Sequence, residues 1–460
     1  MTPDYADGKN DDNDGGINGA NTWEVLKQLK GRRTDKATSI LSKDGEVLSS
    51  SAAILNRHKE HFYELLQIKP ASTEKEKEIE KNINGQFERL LKVETTTEPL
   101  YTTREEVEES LKGLKERKCA DGAGWRNELL KRGGEGMVDC LHALFNEIER
   151  EKRIPEEWNN MIIRSLHKKG NVHDMNNKRG IFLTNVISKM YEKVVKGRNK
   201  QKVDSRVSKN QVGGKTGRST SDHMIVVVDR IQRNKRLGKK TYFVFGDAVK
   251  CFDKLWLRDC LIELYKAGVF MQDIGMLYRM NEEAKIKIRT PLGETDEFTC
   301  HEIVKQGTIW GPEMCCIETD SINRLGERND SNVGKIAVGI LGYVDDILGG
   351  DKAEAVRKTI RKMRQLETEK KYTFGIDKTK YMVINTGREA EEMIEEEIER
   401  GKVTKTDEYK YIGLWLNKEG NLKTHIETKK KAIMGEVTHE NSWKQRKCWK
   451  PIPVYKTDVI

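Results

Sequence analysis

Apolar residues recur at helical spacing through the first third of the chain and gather into short continuous runs after Lys240. In "AAILNRHKEHFYELL" the three- and four-residue intervals predict an amphipathic helix, one of several helical pieces between residues 21 and about 100. "TTREEVEESLKGLKERK" predicts a second helix, opened by a capping box in which Thr103 stands three before Glu106. Glycines in "CADGAGWRNELLKRGG" interrupt the pattern, "MVDCLHALFNEIEREKRIP" resumes it up to Pro155, and "WNNMIIRSLHKKGN" reads as a short strand ending in a basic turn. Beyond Lys240 the run "KKTYFVFGDAV" is aromatic and β-branched and predicts a buried strand. "FDKLWLRDCLIELYKAG" predicts a helix stopped by Gly268, a strand pair surrounds Gly293, and "VKQGTIWGPEMCCIETDSINRL" changes from glycine-rich loop to helix. "KIAVGILGYVDDILGG" then reads as two apolar strands meeting at a two-residue tip, followed by the helix "DKAEAVRKTIRKMRQLETEKK", the strand "KYMVIN", the solvated helix "REAEEMIEEEIER" and the small hairpin "YKYIGLWLNKEGNL". This order predicts an α+β fold, with helices on one face of an antiparallel sheet.

Composition narrows the class. Only 36% of the 460 residues are hydrophobic and 34% are charged, so the core is local and long solvated helices surround it. No apolar run approaches 18 residues and the N-terminus is acidic and polar; the pattern excludes a membrane span or secretory signal and places the chain inside the cell, in nucleus or cytoplasm. The eight cysteines contain no C-x-x-C pair and read as reduced packing thiols, while His58 and His61, lacking a third ligand, read as surface residues. The net charge is +10, yet residues 195 to 240 alone hold fourteen Lys or Arg against three Asp. A surface of that kind suits a phosphate backbone.

Two pairs of adjacent aspartates carry different meanings. Asp11-Asp12 lies in a polar stretch without apolar periodicity and needs only solvent, whereas Asp345-Asp346 interrupts an oily hairpin. The hairpin pair is either a surface turn or a cation site. Two carboxylates about 4 Å apart repel by roughly 4 kcal/mol at an effective dielectric near 20, so a partly buried pair needs a cation or a proton. Asp247 ends the predicted strand "TYFVFG", so two strands can offer three carboxylates to one spot, an arrangement suited to magnesium with water and phosphate oxygens completing its shell.

The stretches "FGDAVKCFDKLWL", "KQGTIWGPEMC", "GYVDDI", "GIDKTKYMVI" and "YKYIGLWLNKEG" occur in the order and rough spacing of reverse transcriptase palm motifs, and the chain resembles the reverse transcriptases of non-LTR (LINE-type) retrotransposons. "SLHKKGNVHDMNNKRGIFLTNVISKMYEKVV" and "QVGGKTGRSTSDHM" resemble that family's fingers motifs, so the resemblance covers residues from about 100 to 425. It implies a right-hand polymerase: a disordered tail over 1–20, a helical N-terminal extension over 21–150, fingers over 151–240, a ferredoxin-like palm over 241–400, and a primer-grip hairpin with a truncated thumb over 401–460. Asp247, Asp345 and Asp346 would be the catalytic and metal-holding acids, for two Mg²⁺ ions or Mn²⁺ in their place. Phe252 matches the ring that crowds a ribose 2′-hydroxyl, with Asp253 as a helix cap. Lys168, Arg179, Ala248, Gln306, Gly307 and Lys378 match nucleotide-binding positions, Lys380 being the neighbour that could take the part of Lys378. Tyr411, Gly413 and Trp415 fall in the primer grip.

The implied partners are an RNA template, a DNA primer and deoxynucleotides, with no membrane and no inferable protein partner. Lys178 stands where the family commonly has an aromatic residue. The family's usual upstream endonuclease is not seen and the thumb stops at Ile460, so the resemblance reads as a truncated copy. Two rival readings remain open at this stage: an inactive relic that only binds nucleic acid, and a palm polymerase making RNA, against which Phe252 argues.

Overall fold

The computed structural model describes residues 39–67, 70–118, 120–168, 170–215, 217–248, 251–305, 307–326, 332–333, 336–337, 339–370, 373–375, 378–384 and 403–431. The segments 1–20, 388–400 and 432–460, and with them Asp11-Asp12 and the acidic helix expected at "REAEEMIEEEIER", lie outside the described residues. Two compact units are distinguished. One takes in the described residues up to Ile54 with Leu166–Arg179; the other takes in Leu55–Ser165 and the described residues from Gly180 onward.

In the first unit β1 (Ile40–Leu41) pairs antiparallel with β2 (Val47–Leu48). Leu41 N–H donates to the His173 carbonyl at 2.9 Å, which ties that small hairpin to the loop carrying Lys168 and Asn177. Helix α1 (Ser51–Leu66) follows.

The helical part of the second unit contains α2 (Glu74–Thr96), α3 (Arg104–Lys112), α4 (Asn127–Lys131) and α5 (Gly134–Glu151). Helix α3 begins at the expected capping box: the Thr103 side chain accepts from Glu106 N–H, and the Glu106 side chain accepts from Thr103 N–H. Next come β3 (Asn160–His167), β4 (Lys178–Leu183), α6 (Val186–Arg206) and α7 (Thr220–Arg236). Phe87, Val107, Phe145 and Tyr191 from α2, α3, α5 and α6 share one buried core. His58 and His61 are 6% and 7% exposed, which corrects their reading as surface residues. The helical stripe that carries them faces inward, and the His61 ring meets Phe62 edge-on.

Strand β5 (Thr241–Asp247) is buried from Thr241 to Gly246. The helix expected after it is two helices, α8 (Cys251–Lys254) and α9 (Leu257–Lys266), because Trp256 caps the second in an extended conformation with φ −85° and ψ 106°. Helix α10 (Met271–Glu282), β6 (Glu283–Thr290), β7 (Gly293–Glu294) and β8 (Phe298–His301) lead to α11 (Gly311–Gly326). After the short pair β9 (Asn332–Val333) and β10 (Ile336–Ala337) come β11 (Ile340–Tyr343), β12 (Asp346–Asp351), α12 (Ala353–Glu369), β13 (Lys380–Ile384), β14 (Thr404–Lys405), β15 (Glu408–Tyr411) and β16 (Leu414–Asn417).

The central sheet runs β11-β12-β5-β13-β14. It is antiparallel except for the β13–β14 pair. A second sheet, β4-β3-β6-β7 with β8 also on β6, contains a parallel β3–β6 pair. Alternation along β5 sorts its side chains. Tyr242 and Val244 join Val356 and Ile360 of α12, while Phe243 and Phe245 join Val226, Val227 and Ile231 of α7 and Tyr411, Leu414 and Leu416 of the β15–β16 hairpin. The expectation of helices on one face of an antiparallel sheet is therefore corrected. Both faces of β5 are apolar, so both are covered, and burying each such side chain stabilises by about 1.5–3 kcal/mol.

Candidate active site

Strand β5 leaves the core at Asp247, whose directly paired residue on β12 is Asp346. Tyr343 pairs with the same Asp346 across the β11–β12 hairpin, which leaves Val344 and Asp345 as its two-residue tip. Paired residues in an antiparallel ladder sit about 4.5–5.5 Å apart at Cα and point to one face. Asp345 is one further step of about 3.8 Å. The three aspartates singled out in the sequence thus fall within about 10 Å of one another at Cα.

Their side chains divide. Asp247 and Asp346 lie on the face of Phe243 and Phe245, where Tyr409 stacks flat on Phe245 at 4.0 Å. Burial, and then the charges of Asp346 and Asp247, push the Tyr409 phenol well above its ordinary range. The charge of Asp345 instead bears on Cys315 of α11, whose thiol is raised by its contact with Cys251 and by burial, with Asp345 a smaller contributor. Among the described residues no three His, Cys, Asp or Glu side chains form a group ready to hold a metal ion. The register thus sets Asp247 and Asp346 as a facing pair, with Asp345 beside them in the turn.

A cation already rests on Asp247. Lys378 Nζ donates to both Asp247 oxygens, at 2.8 and 2.7 Å, with the lysine side chain 48% and the aspartate 25% exposed. Lys380 turns away to Thr404 at 2.6 Å, so of the two lysines in the motif Lys378 is the one at the site. The ammonium marks where positive charge belongs. Magnesium asks for one or two carboxylates and otherwise prefers water and phosphate oxygens, so this donor set fits it.

The remaining predicted positions are placed unevenly. Ala248 is buried and bridges to Phe374 just past Asp247. Phe252 has its backbone in α8, five residues after Asp247; its side chain and that of Asp253 lie outside what is described, as does Gln306. Gly307 adopts φ +95°, a conformation that glycine takes without strain. Lys168 and Arg179 are exposed in the first unit, where Lys168 N–H donates to the Asn177 carbonyl at 2.8 Å. Tyr411 is 2% exposed; its hydroxyl lies 3.1 Å from His223 Nδ1, and it stands inside the sheet's core. Gly413 takes φ +100° at the β15–β16 turn, and Trp415 N–H donates to His425 Nδ1 at 3.3 Å.

Sequence reasoning passed over four residues beneath the tip. Tyr409 alternates with Tyr411 on one face of β15, a period-two signal present in "YKY". Its hydroxyl donates to the Lys378 carbonyl at 3.2 Å. His223 is fully buried, and burial depresses it to about 4. Its Nε2 donates to the Asn210 carbonyl at 3.1 Å, which fixes Nδ1 as the atom that accepts from Tyr411. Gln211 and Gly213 touch Val344 itself.

Facing carboxylates at a strand end, beside a tight turn and under a lysine, form a partly exposed anionic site. Residues 166–416 match the family described as "Reverse transcriptase (RNA-dependent DNA polymerase)", and the chain belongs to that family. It is 22% identical over 289 residues, 63% of its length, to the "Transposon TX1 uncharacterized 149 kDa protein" of Xenopus laevis. It is 23% identical over 299 residues, 64% of its length, to the "Probable RNA-directed DNA polymerase from transposon X-element" of Drosophila melanogaster. The matches span 22% and 32% of those two proteins. Among the described residues no helix is long and apolar enough to cross a membrane.

Proposed function

We propose that the chain is an RNA-directed DNA polymerase of non-LTR retrotransposon type, adding deoxynucleotides to a primer 3′-hydroxyl on an RNA template. The observation that carries the reading is the register that sets Asp346 opposite Asp247, with Asp345 beside them in the turn. Residues 151–240 act as fingers, 241–400 as a ferredoxin-like palm, 401–460 as primer-grip hairpin and partial thumb, and residues 21–150 as a helical extension.

Asp247 and Asp346, with Asp345 next to them, would hold magnesium or manganese, which supplies charge to activate the attacking hydroxyl and to stabilise the leaving oxygen. Lys378 neutralises Asp247 and presents an ammonium to the anionic triphosphate as a point charge. Lys168 and the forked guanidinium of Arg179 suit phosphate oxygens. Ala248 and Gly307 give close backbone approach to the incoming nucleotide, and Gln306 borders it. Phe252 disfavours a ribose 2′-hydroxyl. Gly413 lets the β15–β16 hairpin turn sharply, so that its exposed backbone and Trp415 meet the primer, while Tyr411 supports that hairpin from within.

Primer extension on an RNA template with magnesium and deoxynucleotides tests this. The purified chain should extend the primer, Asp345→Ala should abolish extension, and ribonucleotides should substitute poorly. Extension unchanged in Asp345→Ala refutes the reading. Salt-dependent RNA binding by a chain that never extends would instead support a nucleic-acid-binding relic.

A further inference from the structure

We infer that Gln211 is a positioning residue for the turn that carries Asp345 and Asp346. This rests on the polymerase reading above and adds a part to its machinery.

The turn is strained at a defined place. Val344 adopts φ +59°, the left-handed region that a β-branched side chain resists. Two-residue hairpin turns that need positive φ at their first position favour glycine, asparagine or aspartate there. A strained residue persists where its surroundings over-determine it, so the surroundings of Val344 should be unusually specific.

They are. Gln211 Oε1 accepts from Val344 N–H at 2.9 Å and from Gly213 N–H at 3.0 Å, while its Nε2 donates to the Val344 carbonyl at 3.2 Å. One carboxamide thus holds both backbone groups of the strained residue. The orientation of the amide follows, because an N–H can only donate and a carbonyl can only accept. Thr319 Oγ1 lies 3.3 Å from the same carbonyl.

The backbone around Gln211 is fixed as well. Gly342 N–H donates to the Asn210 carbonyl and Val212 N–H to the Gly342 carbonyl, both at 3.0 Å, so Gln211 is joined to β11 by a parallel bridge at Gly342. His223 Nε2 steadies the Asn210 carbonyl from the other side.

Gly213 supplies an independent sign of the same fit. A Cβ at that position would fall 2.5 Å from Val344 N and 2.5 Å from Val344 Cγ2, so the chain can pass the turn this closely only without a side chain. Gln211 and Gly213 open the stretch "QVGGKTGRSTSDHM", which resemblance assigned to the fingers; these two residues act on the palm turn. A carboxamide at 0% exposure that bonds both backbone groups of Val344 sets where the next two carboxylates stand.

The test compares wild type, Gln211→Leu, Gln211→Glu and Gln211→Leu/Val344→Gly by hydrogen exchange, thermal midpoint and primer-extension kinetics. Gln211→Leu should lose amide protection at Val344 while β5 keeps its own, and its kcat should fall by about 10- to 100-fold with little change in the KM for deoxynucleotide, as expected for misplaced reacting groups. Gln211→Glu, which can still accept from Val344 N–H, should keep part of that protection. Glycine at 344 relieves the strain without restoring any bond to Gln211, so the double variant should recover part of the lost kcat. A role confined to stability predicts instead an unchanged kcat per folded molecule and no recovery with glycine, and either result overturns the inference. If the wild-type chain extends no primer, the polymerase reading fails; exchange alone then decides whether Gln211 holds the turn, with unchanged Val344 protection in both single variants counting against it.

Discussion

Two acidic clusters in this chain share a composition and differ in what is left for them to do. In the helical part of the second unit, Arg198 donates to Glu106 at 2.8 Å and to Glu149 and Asp273 at 3.3 Å each, with further bonds to the Leu100 carbonyl and Thr102. Tyr191 donates to the same Glu149 oxygen and Asn199 to the other Asp273 oxygen, at 2.6 Å each. Burial raises Glu149 to about 7 and Asp273 to about 6, with Arg198 and the hydrogen bonds opposing the rise. At the tip of the central sheet, by contrast, Asp247 is a quarter exposed and, among the described residues, its carboxylate is held by the half-exposed Lys378. Carboxylates that are saturated and buried hold helices together. Carboxylates that face solvent beside a movable ammonium can take a ligand.

Removing the hub of the first cluster gives the largest loss of stability. Arg198→Leu leaves buried carboxylates uncompensated and should cost about 3–5 kcal/mol, read as a lowered denaturant midpoint. Primer extension per folded molecule should persist. A loss of extension with stability intact would break the distinction between the two clusters.

The sequence disclosed the two clusters to different degrees. Asp247 and Asp345-Asp346 stand out because acids at the ends of oily strands conflict with their surroundings, and the strands themselves follow from unbroken apolar runs. The capping box at Thr103 is equally local. Arg198 was visible only as one cation in a basic stretch, since its partners come from residues 106, 149 and 273. The same holds for Gln211, whose partner lies 133 residues away, and for the second covered face of the sheet, which depends on where α7 docks. That Asp346 stands directly opposite Asp247 follows from strand register, which periodicity alone does not determine.

His223 sharpens the comparison, because it lies beneath the face that carries Asp247 and Asp346 yet is buried like the first cluster. Its folded value of about 4 lies below the ordinary 6.5. As pH falls through 6.5 the unfolded chain takes a proton that the folded chain refuses. The stability is therefore complete above 6.5 and is lost progressively down to about 4. Between pH 7.5 and 5 this contributes a loss of about 2 kcal/mol, and urea midpoints at the two pH values should show His223→Gln losing correspondingly less. Equal pH dependence in the two proteins would show that His223 stays as accessible to protons in the fold as outside it.

The most direct test of the account is primer extension by Asp247→Asn beside wild type, at the same concentration of folded protein, on one RNA template with magnesium and deoxynucleotides. The account predicts ordinary extension by the wild type and none above background by the variant, with a thermal midpoint close to that of the wild type because Asp247 stabilises little through an exposed lysine. Extension by Asp247→Asn at the wild-type rate would contradict it.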